Sequence, residues 1–278
     1  MKVFDHCPHG EITLLDVMPH SMDVDKAVCD AARVSYSSNK DKEYTPEEDR
    51  GLIRYLMRHD HGTPFEMAEF KFFVRLPIFV ARQWVRHRTA SLNEVSGRYS
   101  VLPDTYYEFP SWQGQSATNK QSGSGEHNYS IGSYGPETAD WYEVEECSFM
   151  EYESRIKAGV AREQSRGCLP LVTYTEWVWK CDLRNILHFL TLRTHSHAQW
   201  EIRQYANCML EQIKHTAPFT FEAWEDFKRG SLTLTRLEVE AIQRGDFTLC
   251  EAATKRERAE WDDKLSLLHL TTTQSPSG

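Results

Sequence analysis

Apolar and polar residues alternate along Met67–Leu76. Ala68, Phe70, Phe72, Val74 and Leu76 share one side, and Glu69, Lys71, Phe73 and Arg75 the other. A period of two predicts a strand with one face buried. Leu171–Lys180 repeats the pattern with Thr173, Thr175, Trp177 and Trp179 on one face, and Glu11–Met18 reads as a shorter strand. Elsewhere the spacing is helical. Val24, Ala27, Val28 and Ala31 line one side of Asp23–Tyr36. Thr45-Pro46-Glu47-Glu48 supplies an N-cap, a proline at the first helical position and a capping-box glutamate. The helix it starts is expected to bury Leu52, Ile53, Leu56 and Met57 and to end near His59–Gly62. Pro77 opens another helix running to about His87. Tyr142, Phe149, Tyr152, Ile156 and Val160 form a rough stripe over Thr138–Val160. Two further helices are expected over Asp182–Thr194 and His197–His215, and a short one over Phe219–Lys228. Beyond about Cys250 the spacing suggests a peripheral helix and then a frayed tail.

Between Pro110 and Pro136 the chain turns rich in Ser, Gly, Gln and Asn, which predicts an exposed insertion. The expected organisation is α/β (α+β): a single domain over 1–230, with a mixed sheet flanked by helices and the insertion at about 110–136. An extension over 231–278 is expected to be helical and then disordered. With 278 residues and 40% hydrophobic content, the chain can bury a substantial core.

The net charge of −9 repels nucleic acid at long range, so a basic site has to be local and enclosed. The seven cysteines contain no Cys-x-x-Cys pair, which argues against a zinc ribbon or a thioredoxin-type motif. Reduced thiols in a cytoplasmic protein are expected. Met1–Gly10 has no apolar signal core, and no stretch approaches the ~18 apolar residues of a membrane span. There is no Walker loop, and no Gly-x-Gly-x-x-Gly follows a strand, so a dinucleotide site here would not be of the Rossmann type.

Candidate chemistry concentrates in four segments. Gln83–Tyr99 carries Arg86, His87, Arg88, Glu94, Ser96, Gly97 and Arg98. Planar guanidinium forks suit phosphate and heteroaromatic edges, and Gly97 lets backbone amides approach a ligand. The same residues also read as a solvated basic turn. Asp182–Glu201 places Arg184 and His188 on one helical face, with Arg193 roughly opposite. Arg193 and His197 would form a second such pair if the helix continued. His188 also reads as a core histidine. His59–Glu66 holds a His-x-His, as does His195–His197, but neither has the spacing or the cysteine of a familiar zinc site, and no metal is expected. Arg162 and Arg166 are four apart before Pro170, as anion ligands or as surface charge.

At these residues the chain resembles the flavin-dependent thymidylate synthases, whose signature is Arg-His-Arg, seven residues, then Ser. Here it runs from Arg86-His87-Arg88 to Ser96, followed by Gly97-Arg98-Tyr99. His61–Glu66, Pro77–Trp84, Arg166 with Leu169-Pro170, and Arg184 through Arg193 to Glu201 follow the family pattern in order. The resemblance spans roughly Glu11–Phe227 without the insertion. It implies a homotetramer with sites between subunits, binding FAD, dUMP, methylenetetrahydrofolate and NADPH or NADH, with no nucleic-acid or membrane partner. It implies that His61, Thr63, Arg86, His87, Arg88, Glu94, Asp182, Leu183, Arg184, His188 and His197 serve FAD. Gln83, Trp84, Val85, Arg86, Glu94, Val95, Ser96, Gly97, Arg98, Arg166 and Arg193 would serve dUMP. The family commonly has Asn where Asp182 stands, and sometimes His where Met67 stands.

C5 of uracil is a poor nucleophile. One remedy is a cysteine adding to C6; another is positive charge and donors around the ring oxygens and N3. Arg193 is the expected catalytic residue on the second route. Ser96 lacks the base and orienter of a nucleophile and reads as a binding hydroxyl. Two other classes fit parts of the pattern: a phosphate- or RNA-binding module on the Arg86–Arg88 turn, and a metal hydrolase using the histidine pairs.

Overall fold

The computed structural model describes residues 9–20, 23–35, 42–110, 112–115, 123–126 and 143–270. Two compact units emerge, Met1–Phe227 and Lys228–Gly278. The first is built on a four-stranded sheet. Its strands are β1 (Glu11–Met18), β2 (Glu69–Pro77), β3 (Ser91–Glu94) and β6 (Tyr174–Asp182), in the order β1-β2-β6-β3. A separate hairpin, β4 (Gln113–Gln115) with β5 (Gly123–Glu126), lies in the region expected to be an insertion; residues 111, 116–122 and 127–136 of that region lie outside the described residues.

Every pairing in the four-stranded sheet is antiparallel, which corrects the expectation of a mixed sheet. A parallel neighbour usually needs one crossover helix that carries the chain to the far end of the sheet. Here two helices, α1 (Val24–Arg33) and α2 (Pro46–Arg58), separate β1 from β2. The alternation expected for β2 and β6 is matched by burial. Phe70, Phe72, Val74 and Leu76 are inaccessible on one strand, and Trp177, Trp179 and Cys181 nearly so on the other. α3 (Ile78–Trp84), α6 (Leu183–Arg193) and α7 (Trp200–Thr216) pack on that apolar side.

Trp84 is the hub, with ring centroids 4.6 Å from Phe189, 5.6 Å from Trp179 and 5.7 Å from Trp177. The opposite face pairs its charges across strands: Lys180–Glu69, Arg75–Glu176 and Lys71–Asp16.

Local signals set the helix ends. The Thr45 capping box is formed in both directions. α3 stops at Trp84, short of the expected His87, because Arg86 and His87 bond back to Gln83 and Trp84 in tighter turns. α4 (Glu143–Lys157) ends before Val160, and Gly159 takes up the left-handed conformation at φ +82°. The expected start of that helix, Thr138–Tyr142, lies outside the described residues, as does Tyr36. A short α5 (Arg162–Ser165) follows. α6 does not continue to His197: the Thr194 hydroxyl turns back onto the Leu190 carbonyl, and residues 195–199 form a turn before α7. The proposed Arg193–His197 helical pair therefore does not exist.

α8 (Pro218–Trp224) leads into a wider π turn at Glu225–Arg229. Its first turn is held by Asp25 of α1, whose carboxylate accepts from Phe219 N (2.6 Å), Thr220 N (3.0 Å) and Thr220 Oγ1 (2.6 Å). Burial pushes the Asp25 carboxyl up, and those three donors pull it back.

The second unit holds α9 (Arg236–Arg244) and α10 (Lys255–Leu267), each opened by a reciprocal Thr/Glu capping box. Ala241, Leu249, Ala253, Trp261 and Leu265 form its core. The expected frayed tail over 271–278 lies outside the described residues. No helix among the described residues is long and apolar enough to cross a membrane.

Candidate active site

Four segments of the first unit carry the cationic and imidazole groups: the turn after α3 with β3, helix α6, the turn before β2, and the turn that begins at Arg166 after α5. The first contact between them joins residues 106 apart in sequence. Arg193, the last residue of α6, donates its Nε–H to His87 Nε2 at 3.0 Å. That bond needs a lone pair on Nε2, so the imidazole is neutral with its proton on Nδ1. Burial first, then the charges of Arg193 and His188, holds His87 down at about 4. The His87 ring sits edge-on to Phe189 (4.9 Å) and 6.3 Å from His188.

Arg193 is half-buried, and burial lowers its pKa. No carboxylate among the described residues pairs with it. An unpaired cation in a partly desolvated place is poised to meet an anion supplied from outside the chain.

The second contact joins the turn before β2 to α6. A short 3-10 turn, Thr63–Met67, follows Gly62. The Arg184 guanidinium lies across Gly62 and ion-pairs with Glu66. A Cβ at Gly62 would stand 2.4 Å from Arg184 Nε and 2.6 Å from Cζ, so only glycine leaves room for this arrangement. The third contact is similar in kind: Arg166 packs against Gly97, where a Cβ would lie 3.1 Å from Arg166 Cδ.

The remaining expected residues separate into groups. Arg86, Arg88, Arg98 and His188 are exposed, and Arg98 pairs with Glu163 at 3.3 Å. Glu94 accepts from Thr175 Oγ1 at 2.6 Å, and Val95 N bonds to Glu176 O at 2.8 Å, which ties the end of β3 to β6. Ser96 Oγ accepts from Arg98 N at 3.3 Å. Trp84 and Leu183 are fully inaccessible, and the Leu183 amide is bonded to Ala68 O. Asp182 caps α6, accepting from Asn185 N (2.9 Å) and Asn185 Nδ2 (2.7 Å). His61 and His197 are exposed; His197 stacks edge-on with His195 at 4.8 Å. No group of three or more His, Cys, Asp or Glu among the described residues could hold a metal ion.

Sequence reasoning gave no separate role to Gln199. Gln83 donates to its side-chain oxygen, and Gln199 donates in turn to the buried Glu201 at 2.8 Å. The only local signal was the position of Gln199 and Glu201 at the N-terminus of α7.

Burial pushes the thiols of Cys29 and Cys181 up to about 12 and that of Cys208 upward as well. Cys168 is half-buried and donates to Ser165 O at 3.2 Å.

A two-layer α/β unit presenting glycine-seated arginines and a carboxylate-free guanidinium is of the class of anion-handling enzymes. Comparison with known proteins narrows this. The family described as thymidylate synthase complementing protein (Thy1) matches residues 13–219. The flavin-dependent thymidylate synthase of Dictyostelium discoideum is 44% identical over 98% of this chain and 88% of its own length. That of Thermus thermophilus is 45% identical over 84% of this chain and 82% of its own. Among solved structures, a UMP/dUMP methylase, PolB from Streptomyces cacaoi bound with 5-Br UMP, superposes with a TM-score of 0.66 at 34% identity. It covers 79% of this chain and 95% of that one. The chain belongs to the flavin-dependent thymidylate synthase family.

Proposed function

We propose that the chain performs the reaction its family is named for, converting dUMP to dTMP, with FAD as cofactor. Methylenetetrahydrofolate is the one-carbon donor and NADPH or NADH the reductant. The observation that carries the reading is Arg193: half-buried, without a carboxylate, and held by a neutral imidazole. A neutral partner fixes the guanidinium without cancelling its charge. The full cation is left to stabilise negative charge on the uracil oxygens and N3 as C5 gains nucleophilicity.

The residues fit a flavin nucleotide. Arg86 and Arg88 are exposed cations, and Arg184 is seated on a glycine, a donor set suited to a diphosphate. Thr63, His61, His87, Glu94, His188 and His197 complete the set expected there, whereas the Asp182 carboxylate is already engaged as a helix cap. When bound, the flavin supplies the hydride. Gln83, Ser96, Gly97, Arg98 and Arg166 hold the nucleotide and its phosphate. The site lies between subunits of a homotetramer in this reading, with exposed Arg86, Arg88 and His188 meeting groups from a neighbouring copy.

The test is tritium release from C5-labelled dUMP by flavin-saturated protein, together with sedimentation. Arg193→Ala is expected to lose ~10²–10³ in rate while flavin stays bound, and Arg193→Lys to recover little. Single Cys→Ser variants are expected to keep substantial activity; burial disfavours the thiolate at Cys29, Cys181 and Cys208. If one Cys→Ser change abolished release while Arg193→Ala remained near wild type, a covalent thiol route would replace this one.

A further inference from the structure

We propose that Glu201 and Gln199 are positioning residues for Gln83, forming a one-directional hydrogen-bond relay that sets how Gln83 faces the nucleotide. The proposal deepens the reading above and rests on Gln83 touching dUMP. Glu201 is only 7% exposed, and no cation among the described residues pairs with it. It is the second residue of α7, where the helix N-terminus favours a negative charge. Its Oε2 accepts from Gln199 Nε2 at 2.8 Å, and the Tyr107 hydroxyl stands 3.5 Å from its Oε1. Gln199 Oε1 accepts from Gln83 Nε2.

The direction of this chain is not arbitrary. The Glu201 oxygen that accepts at 2.8 Å needs an N–H opposite it. It obliges Gln199 to turn its amide nitrogen inward, which leaves the Gln199 carbonyl to face Gln83. Gln83 must then spend one N–H on Gln199. Its carbonyl oxygen and second N–H remain for a ligand, in one of the two orientations an unconstrained amide would sample. Gln199 makes no side-chain cap to its own helix, so the relay is the described use of its amide. The Gln83 side chain stands at the end of α3, one residue before the inaccessible Trp84, so the backbone that carries it is fixed.

The experiment is a double-mutant cycle on flavin-saturated enzyme, reading kcat, KM for dUMP, flavin affinity and melting temperature. Gln83→Met, Gln199→Met and Glu201→Gln are each expected to raise the dUMP KM about tenfold or more, the size of a charge-assisted or well-oriented bond lost. Flavin affinity should stay near wild type in all three, and melting temperature in Gln83→Met, which leaves the Gln199–Glu201 bond in place. Adding Glu201→Gln to Gln83→Met should add almost nothing, because the relay acts only through Gln83. If Gln83→Met left KM unchanged, the underlying reading of Gln83 would fail. If Gln83→Met raised KM but Glu201→Gln and Gln199→Met did not, or if the effects simply multiplied, the relay would be overturned. Should Glu201→Gln fold poorly, the Gln199→Met arm of the cycle decides alone.

Discussion

Replacing Gly62 by alanine separates the stability of the fold from its grip on the cofactor. The backbone at Gly62 has φ −78°, which alanine adopts without strain. The difficulty lies with the neighbour. The new Cβ would meet Arg184 Nε at 2.4 Å, Cζ at 2.6 Å and Cδ at 2.9 Å. Ordinary contact between such atoms needs roughly 3.5 Å, so the guanidinium has to retreat by about 1 Å and give up its seat beside Glu66. The Arg184 and Glu66 side chains are 54% and 35% exposed, so losing their pair costs the fold at most about 1 kcal/mol. Alanine returns ~0.4–1 kcal/mol by restricting the unfolded chain. Net stability should therefore change by less than ~1 kcal/mol.

Flavin binding should behave otherwise. A misplaced charge-assisted donor costs about 1.5–3 kcal/mol, or roughly 10- to 100-fold in FAD affinity. The assay is fluorescence titration of FAD into flavin-free protein, with urea unfolding in parallel. Gly51→Ala is the control: a Cβ there meets nothing within 4 Å, so it should stabilise α2 slightly and leave FAD binding alone. Unchanged FAD affinity in a folded Gly62→Ala protein would refute the placement of Arg184 against the cofactor. A loss of several kcal/mol in stability would show instead that Gly62 serves the core.

Two further outcomes follow from buried titratable groups. His87 has a folded-state pKa of about 4 against an ordinary 6.5, so between those values the unfolded chain binds a proton that the folded one refuses. Its stabilisation is complete above pH 6.5 and is lost as the pH falls toward 4. At pH 5 the full shift would remove ~2 kcal/mol, and partial solvation of the ring reduces this to about 1 kcal/mol. Urea midpoints at pH 7 and 5, at one protein concentration, should differ less in His87→Asn, and an equal pH dependence in both proteins would contradict the assignment. Asp25→Ala strands two backbone N–H groups and one hydroxyl at the start of α8, and should cost about 2–4 kcal/mol by urea unfolding. Asp25→Asn, which keeps one acceptor oxygen, should fall between; an alanine variant within 0.5 kcal/mol of wild type, on the scale of an ordinary surface change, would remove Asp25 from that role.

Much of this molecule can be read along the chain. The alternation in β2 and β6 comes from Cβ atoms pointing to opposite faces of one buried sheet, and it survives in any sequence that has to cover one face. The Thr45 capping box announces α2 because the same three residues both signal and satisfy the helix start. The capping boxes at Thr235 and Thr254 carry the same signal, and the first of them marks a helix that the spacing of apolar residues alone did not announce. Membership of the family is legible too, through Arg86-His87-Arg88 and Ser96 in their order.

Other features exist only in three dimensions. β3 has no apolar alternation and all four residues are exposed; it is a strand because the edge of β6 offers backbone partners. The wholly antiparallel sheet follows from the strand directions that the connections impose, which residue spacing does not record. Arg193 meets His87, Arg184 meets Gly62, and Gln83 meets Gln199 across 106, 122 and 116 positions respectively. Periodicity and caps are legible because they arise from backbone geometry within a few residues. A proton's location on His87, or the way Gln83 turns its amide, depends on groups that chain folding alone brings within 3 Å or so, the range over which a hydrogen bond has direction.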